Sequence, residues 1–213
     1  MVQTRGPLYF VTMKLSPDRK DKAFRSAQTW AQFVDSMAVN RPEIEANYKA
    51  YTLTASDLAF LQGLPGVTDV LVLAHDWCGD VVANLPLFAK IEAETGKLRL
   101  HIVPKNPDNV DVGALYPHPD GDVHIPIYIF FDDKGREKGH LIERTAALDE
   151  KMGQWVAGFW AAHPDFQGKG KEFSELTSEV KKALIDHLHA ERRRVRDLEK
   201  SSILEAVGKI LLA

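Results

Sequence analysis

At Thr68 the hydrophobic pattern of this chain changes period, and that change limits the folds open to it. Asp69 to Leu73 is a short apolar run bounded by turn residues, which reads as a buried strand. Gly79 to Glu94 then reads as a helix with Val82, Leu85, Phe88 and Ala89 inward, and Leu98 to Val103 as a second strand. The stretch from Pro104 to Asp122 is rich in loop signals, with one helical turn near Val110 to Tyr116. Pro126 to Phe131 reads as a third strand, Asp132-Asp133-Lys134-Gly135 as a hairpin turn, and Arg136 to Ile142 as the returning strand. Leu148, Met152, Trp155, Val156 and Phe159 mark an amphipathic helix that stops before Pro164. The order β-α-β, loop, β-hairpin, α predicts an α/β fold, a central mixed sheet flanked by helices.

Before Thr68 the chain reads as mainly helical. Ser16-Pro17-Asp18 starts a helix, and Phe24, Ala27, Ala31 and Val34 follow at helical spacing. A second helix begins near Pro42, and Ser56 caps a third that ends at Gly63 and Pro65-Gly66, with Leu58 and Leu61 inward. Leu8 to Lys14 alternates weakly, as a short strand or a disordered tail. After Gly168-Lys169-Gly170 the chain has no proline and reads as one or two helices. Phe173, Leu176, Val180, Leu184 and Leu188 form an apolar stripe there, expected to pack on the chain's own helices or on a second copy. The expected organisation is an N-terminal helical extension over 1–66, a central domain over 67–165 and a C-terminal helical extension over 166–213.

Composition excludes several classes of partner. The chain is 45% hydrophobic and carries a net charge of -3, so there is no global electrostatic case for nucleic acid or an anionic membrane. The one basic run, Arg192-Arg193-Arg194 with Arg196, is flanked by Glu191, Asp197 and Glu199 and reads as a solvated helix face. No apolar run approaches the roughly 20 residues that span a bilayer. Met1 to Lys14 lacks the apolar core of a secretory signal, and a single cysteine fits a reducing compartment, so a cytoplasmic location is expected.

That cysteine, Cys78, lies in His75-Asp76-Trp77-Cys78-Gly79-Asp80, between the first strand and its helix. A thiol at a helix N-terminus feels the partial positive charge of unpaired N–H groups, which favours the thiolate. A pKa falling from about 8.5 to about 7 would make roughly half the molecules thiolate at neutral pH. Asp80 opposes this, because a carboxylate two residues away favours the neutral thiol. The two effects are of similar size, about 1 kcal/mol each, so the sequence leaves the balance open.

The central stretch resembles the thioredoxin superfamily. Trp77-Cys78-Gly79 is similar to the start of that family's Trp-Cys-Gly-Pro-Cys motif, and Pro86 to the proline inside its active-site helix. Asn106-Pro107, Ile125-Pro126 and Asp133-Lys134-Gly135 resemble the family's Asn-Pro, its cis-proline segment and its hairpin turn, in the right order. The resemblance covers Thr68 to His163, and Asp76-Trp77-Cys78-Gly79-Asp80 is similar to a single-cysteine Trp-Cys-Gly-Asp branch of thioredoxin-like proteins. Against the family pattern, Asp80 replaces the motif proline, Val81 the second cysteine, and Val72 a buried aspartate. The segment before Pro126 is longer than in compact members and brings Tyr116, His118, Asp122 and His124 towards the expected site.

The resemblance implies a monothiol thiol–disulfide oxidoreductase. Cys78 is then the nucleophile, Gly79 the helix-start amide donor, Trp77 an apolar wall and Ile125-Pro126 the edge that holds the substrate. Asp80 and His124 complete the substrate-binding set. The substrate is a protein or small-molecule disulfide. No cofactor is expected, but with Val81 in place an external thiol such as glutathione must act as co-substrate. A second reading is a redox-inactive binding module that uses the cis-proline groove. A third is a zinc site of Cys78, His118 and His124, which no ligand spacing supports, so no metal is expected. The terminal helices leave room for a homo-oligomer.

Overall fold

The computed structural model describes residues 14–213. Apart from Lys14, the weakly alternating stretch Leu8 to Lys14 lies outside the described residues. Helix α1 (Pro17–Ser26) opens with Pro17 in its first turn, and the Ser16 hydroxyl accepts from the Arg19 N–H. The helical spacing of Phe24, Ala27, Ala31 and Val34 does not make one helix. The chain leaves α1 at Ala27, Gln28 exchanges two backbone hydrogen bonds with Ile102 at 2.8 and 3.0 Å, and α2 (Trp30–Ser36) restarts from a Thr29–Gln32 capping box. Tertiary pairing and a strong local cap override periodicity here. Helix α3 (Arg41–Ala50) contains Pro42 in its first turn. Helix α4 (Ala55–Gln62) is capped by Thr54, not Ser56, because Thr54 stands three residues before Asp57 and the two close a reciprocal box.

Strand β1 (Thr68–Ala74) leads through a short turn into α5 (Gly79–Thr95), which contains Pro86 and returns to β2 (Leu98–Pro104). After α6 (Val110–Ala114) comes the hairpin of β3 (Ile127–Phe131) and β4 (Glu137–Ile142), then α7 (Ala146–Ala162). The sheet order is β2-β1-β3-β4, with β1 parallel to β2 and antiparallel to β3. Val70 to Leu73 in β1 are fully buried because both faces of the sheet are covered. Val70, Val72, Tyr128 and Phe130 face Leu85 and Phe88 of α5, with α3 and α4 outside them. Leu71, Leu73, Ile127, Ile129 and Phe131 face Ala23 of α1 and Val112 of α6.

The C-terminal segment forms two helices that do different work, α8 (Ser178–Arg194) and α9 (Arg196–Leu211). Ile203, Leu204, Val207 and Leu211 of α9 join the cluster around Phe88, so this helix completes the core. Leu176, Val180 and Leu184 pack on Phe159 and Trp160 of α7, while Phe173 stays exposed. The apolar stripe therefore packs on the chain's own helices. Among the described residues no helix is long and apolar enough to cross a membrane.

Phe88 of α5 is one of the large side chains in this packing. It is fully buried and stacks on Tyr128 with ring centroids 4.0 Å apart. Phe88→Ala should lower the unfolding free energy by about 3–5 kcal/mol, through lost transfer energy and the cavity left behind. Urea denaturation read by circular dichroism measures it.

Candidate functional site

The site is built where β1 ends and α5 begins. Asp76 ties this turn to the α2–α3 connection: its Oδ2 accepts from the amides of Ala38 and Val39 at 2.7 and 3.1 Å. His75 follows the strand and accepts at Nε2 from the Asn106 amide, 3.2 Å away. Trp77 stacks on His75 and is 61% exposed, the largest apolar side chain left in solvent at this end of the sheet.

Cys78 is the N-cap of α5 and is half-buried. Its Sγ donates to the carbonyl oxygen of Ile125, 3.3 Å away, the residue before a cis peptide bond to Pro126. The amides that favour the charged sulfur are those of Asp80 and Val81, not Gly79 as expected. A cap side chain reaches the second and third amides of a helix, and Gly79 holds the first. Gly79 is exposed, and His189 of α8 lies 3.8 Å from where a side chain would start. Burial, followed by the charge of Asp80, outweighs the two amides and pushes the Cys78 thiol up to about 11. The opposition that the sequence left open is thus decided for the neutral thiol. Val81 and Val72 are both fully buried in the same apolar cluster.

Asp80 is the electrostatic centre. Burial alone would raise its carboxyl, but the guanidiniums of Arg192 and Arg144 override burial and hold it below the usual carboxylate range. Arg192 Nη1 lies 2.5 Å from Oδ1, and Arg144 Nη1 lies 2.7 Å from Oδ2. Arg192 also binds Glu199 through Nη2 at 2.5 Å, and Glu199 accepts from Tyr51 Oη at 3.1 Å. Arg192 is therefore buried and twice paired, which corrects its reading as part of a solvated face. Arg193 and Arg194 remain outside, paired with Glu43 and Glu191. One sequence signal pointed to Arg192: it continues the stripe Val180, Leu184, Leu188 at the next four-residue step. Arg144, between β4 and α7, was missed for lack of any local pattern.

Around the second half of the site the loop before β3 closes on Glu143. Glu143 holds a left-handed backbone at φ 57°, donates its N–H to the Pro126 carbonyl and accepts at its own carbonyl from Asn84. Its carboxylate reaches His124 Nδ1 at 2.7 Å and Arg144 at 2.5 Å. His124 and His118 stack 4.4 Å apart. Two of the loop residues expected near the site do something else. Tyr116 is buried and donates to Glu137 at 3.0 Å, and Asp122 contributes its backbone, while Asp120 is the acid between the histidines. Beside Gly79 and Asp80 a groove of about 390 Å³ runs between α7 and α8, lined by Met152, Val156, Trp160 and Leu184.

Two measurements follow from this electrostatic arrangement. Arg192→Ala leaves Asp80 and Glu199 buried with too little positive charge, and should cost about 3–5 kcal/mol of stability in urea denaturation. The raised thiol pKa also links folding to alkaline pH. The folded chain keeps the Cys78 proton from about pH 9 to about 11 while the unfolded chain releases it, so the contribution is present below pH 9 and is lost across that window. The difference in unfolding free energy between the wild type and Cys78→Ala should shrink by about 3 kcal/mol there.

The family whose model matches this chain is described as thioredoxin, and the match runs over residues 27–156, taking in α2 to α4 before β1 but not α1. No curated protein matches the chain. Two crystal structures resemble its fold. An HIV epitope-scaffold is 16% identical with a TM-score of 0.54, over 86% of this chain and 96% of its own. A protein of unknown function from Pseudomonas aeruginosa is 19% identical with a TM-score of 0.54, over 79% of this chain and 93% of its own. Identities this low speak for the fold alone. The family match spans well over half of the 213 residues and agrees with the sheet order, the helix-capping cysteine and the proline loop facing it: the chain belongs to the thioredoxin family.

Proposed function

We propose that this chain is a redox-inactive thioredoxin-fold module, of a single-cysteine Trp-Cys-Gly-Asp branch, that holds an extended partner chain beside Trp77 and the Ile125–Pro126 loop. The observation that carries this reading is the hydrogen bond from Cys78 Sγ to the Ile125 carbonyl at 3.3 Å, in a site that pushes the thiol up to about 11. With that pKa about one molecule in 10,000 is thiolate at pH 7, and the thiolate is the species that attacks a disulfide. Val81 offers no second thiol to release a mixed disulfide. Exposed Trp77 offers a rigid apolar contact of the kind that anchors interfaces, and an extended segment laid beside Ile125 would add main-chain hydrogen bonds. Gly79 keeps the helix start open to it, Pro126 fixes the edge, and Asp80 and His124 flank it.

Monothiol exchange with a protein or small-molecule disulfide is the second reading, favoured by the amides of Asp80 and Val81 that face the sulfur. A substrate that took over the Ile125 carbonyl would leave the sulfur facing those donors, and an external thiol such as glutathione would resolve the mixed disulfide. The rate of Cys78 alkylation by iodoacetamide against pH separates the two. The binding module predicts slow reaction at pH 7 and a rate still rising at pH 9. Rapid reaction with an inflection at or below about pH 7 would reject it in favour of exchange.

A further inference from the structure

We propose that His118, Asp120 and His124, in the loop between α6 and β3, form a zinc site. Their ligand atoms, one from each side chain, all lie within 4.8 Å of one another. Asp120 Oδ2 sits between the imidazoles, 3.0 Å from His118 Nδ1 and 2.9 Å from His124 Nε2. The loop is held in this shape by its own backbone. The His118 N–H donates to the Asp122 carbonyl and the Gly121 N–H to the His118 carbonyl, each at 2.8 Å, with Gly121 at φ 95°.

Each of these ring nitrogens faces a carboxylate oxygen, a contact that needs a proton or a cation between the two. His124 meets a carboxylate at both nitrogens, Glu143 at Nδ1 and Asp120 at Nε2. A neutral imidazole has one N–H, so it can satisfy one of these contacts. If Glu143 takes the Nδ1 proton, Nε2 turns a lone pair towards an anionic oxygen, and a divalent ion between them reconciles the two. His118 Nδ1 adds a second sign: it is buried and, although 3.0 Å from Asp120, lacks an aligned hydrogen bond.

Two donors already have the outer partners that metal ligands use to fix their orientation. Glu143 holds His124 Nδ1 at 2.7 Å, and the Asp122 N–H holds Asp120 Oδ1 at 2.9 Å. Two imidazoles and one carboxylate suit zinc better than magnesium or calcium, which prefer all-oxygen sites. Zinc bonds of about 2.0–2.1 Å in tetrahedral geometry set donors about 3.4 Å apart, so Asp120 Oδ2, at 3.0 and 2.9 Å from the two ring nitrogens, needs to move away from each by only a few tenths of an ångström. Three protein ligands leave a fourth position for water, and Asp120 is 47% exposed. The site excludes Cys78, whose sulfur is turned to Ile125, so it differs from a zinc site of Cys78, His118 and His124 and stands whether or not Cys78 exchanges disulfides.

The test is titration of the chelator-stripped full chain with zinc alone, by calorimetry at pH 7.5. One ion per chain is expected, with His118→Ala, His124→Ala and Asp120→Asn each weakening binding more than about tenfold and Glu143→Gln by about 10–100-fold. Cys78→Ser should bind as the wild type does. Circular dichroism confirms that each variant is folded. On the wild type alone, cobalt substitution should give the intense visible bands of a four-coordinate ion without a thiolate charge-transfer band. No zinc binding at millimolar concentration, unchanged binding by folded His124→Ala, or loss of binding by Cys78→Ser would each overturn the site.

Discussion

A carboxylate in the wall of the protein, Asp80, needs positive charge, and the arrangement of the C-terminal half supplies it. An isolated buried anion is costly, so its partners must arrive with good geometry or the group must take up a proton. Arg144 comes from the turn between β4 and α7, and Arg192 from the end of α8. Arg192 in turn needs Glu199, at the start of α9, which also accepts from Tyr51 just after α3. One charge at the first turn of α5 is thereby linked to three later elements. The hydrophobic contacts of α9 with the core supply the packing, and the Arg192–Glu199 pair adds an ionic link to α8.

Burial first, and the same charge second, set the character of the thiol. A helix N-terminus favours a thiolate when the sulfur is accessible and no anion competes. Here the sulfur is half-buried, faces a carbonyl and stands beside an aspartate that its arginines keep ionised. The family's fold thus carries a cysteine in the expected place with its acidity reversed. The hydrocarbon at Val72 and Val81 is consistent with this, since neither position offers a group that exchanges protons.

What could be read from the sequence was short-range. The apolar run at Val70 to Leu73, the turn at Asp132 to Gly135 and the spacing in α7 each depend on neighbours a few residues apart, and each element is found where expected. The Trp77-Cys78-Gly79 turn and the Ile125–Pro126 loop were legible because motif and order agree. Misreadings arose where distant backbone or charge decides. Gln28 breaks a helical pattern because Ile102 offers it a strand partner. Arg192 looked solvated because its immediate neighbours are acidic, and nothing local announces that its partner lies at Asp80. The thiol's acidity was undecidable because burial, the largest cause, is a property of the folded chain.

The bond between Arg192 and Asp80 joins residues 112 positions apart. A ribosome makes protein from the N-terminus and domains begin to fold as they emerge. The sheet and the cysteine turn are therefore made well before the arginine that balances Asp80. Throughout that interval the nascent site has Arg144 at most, and the carboxyl is free to take up a proton or keep water. Docking of α8 and α9 then brings the Arg192–Glu199 pair against the carboxylate. The cysteine's environment is complete only once α8 has been made, 112 positions after Asp80.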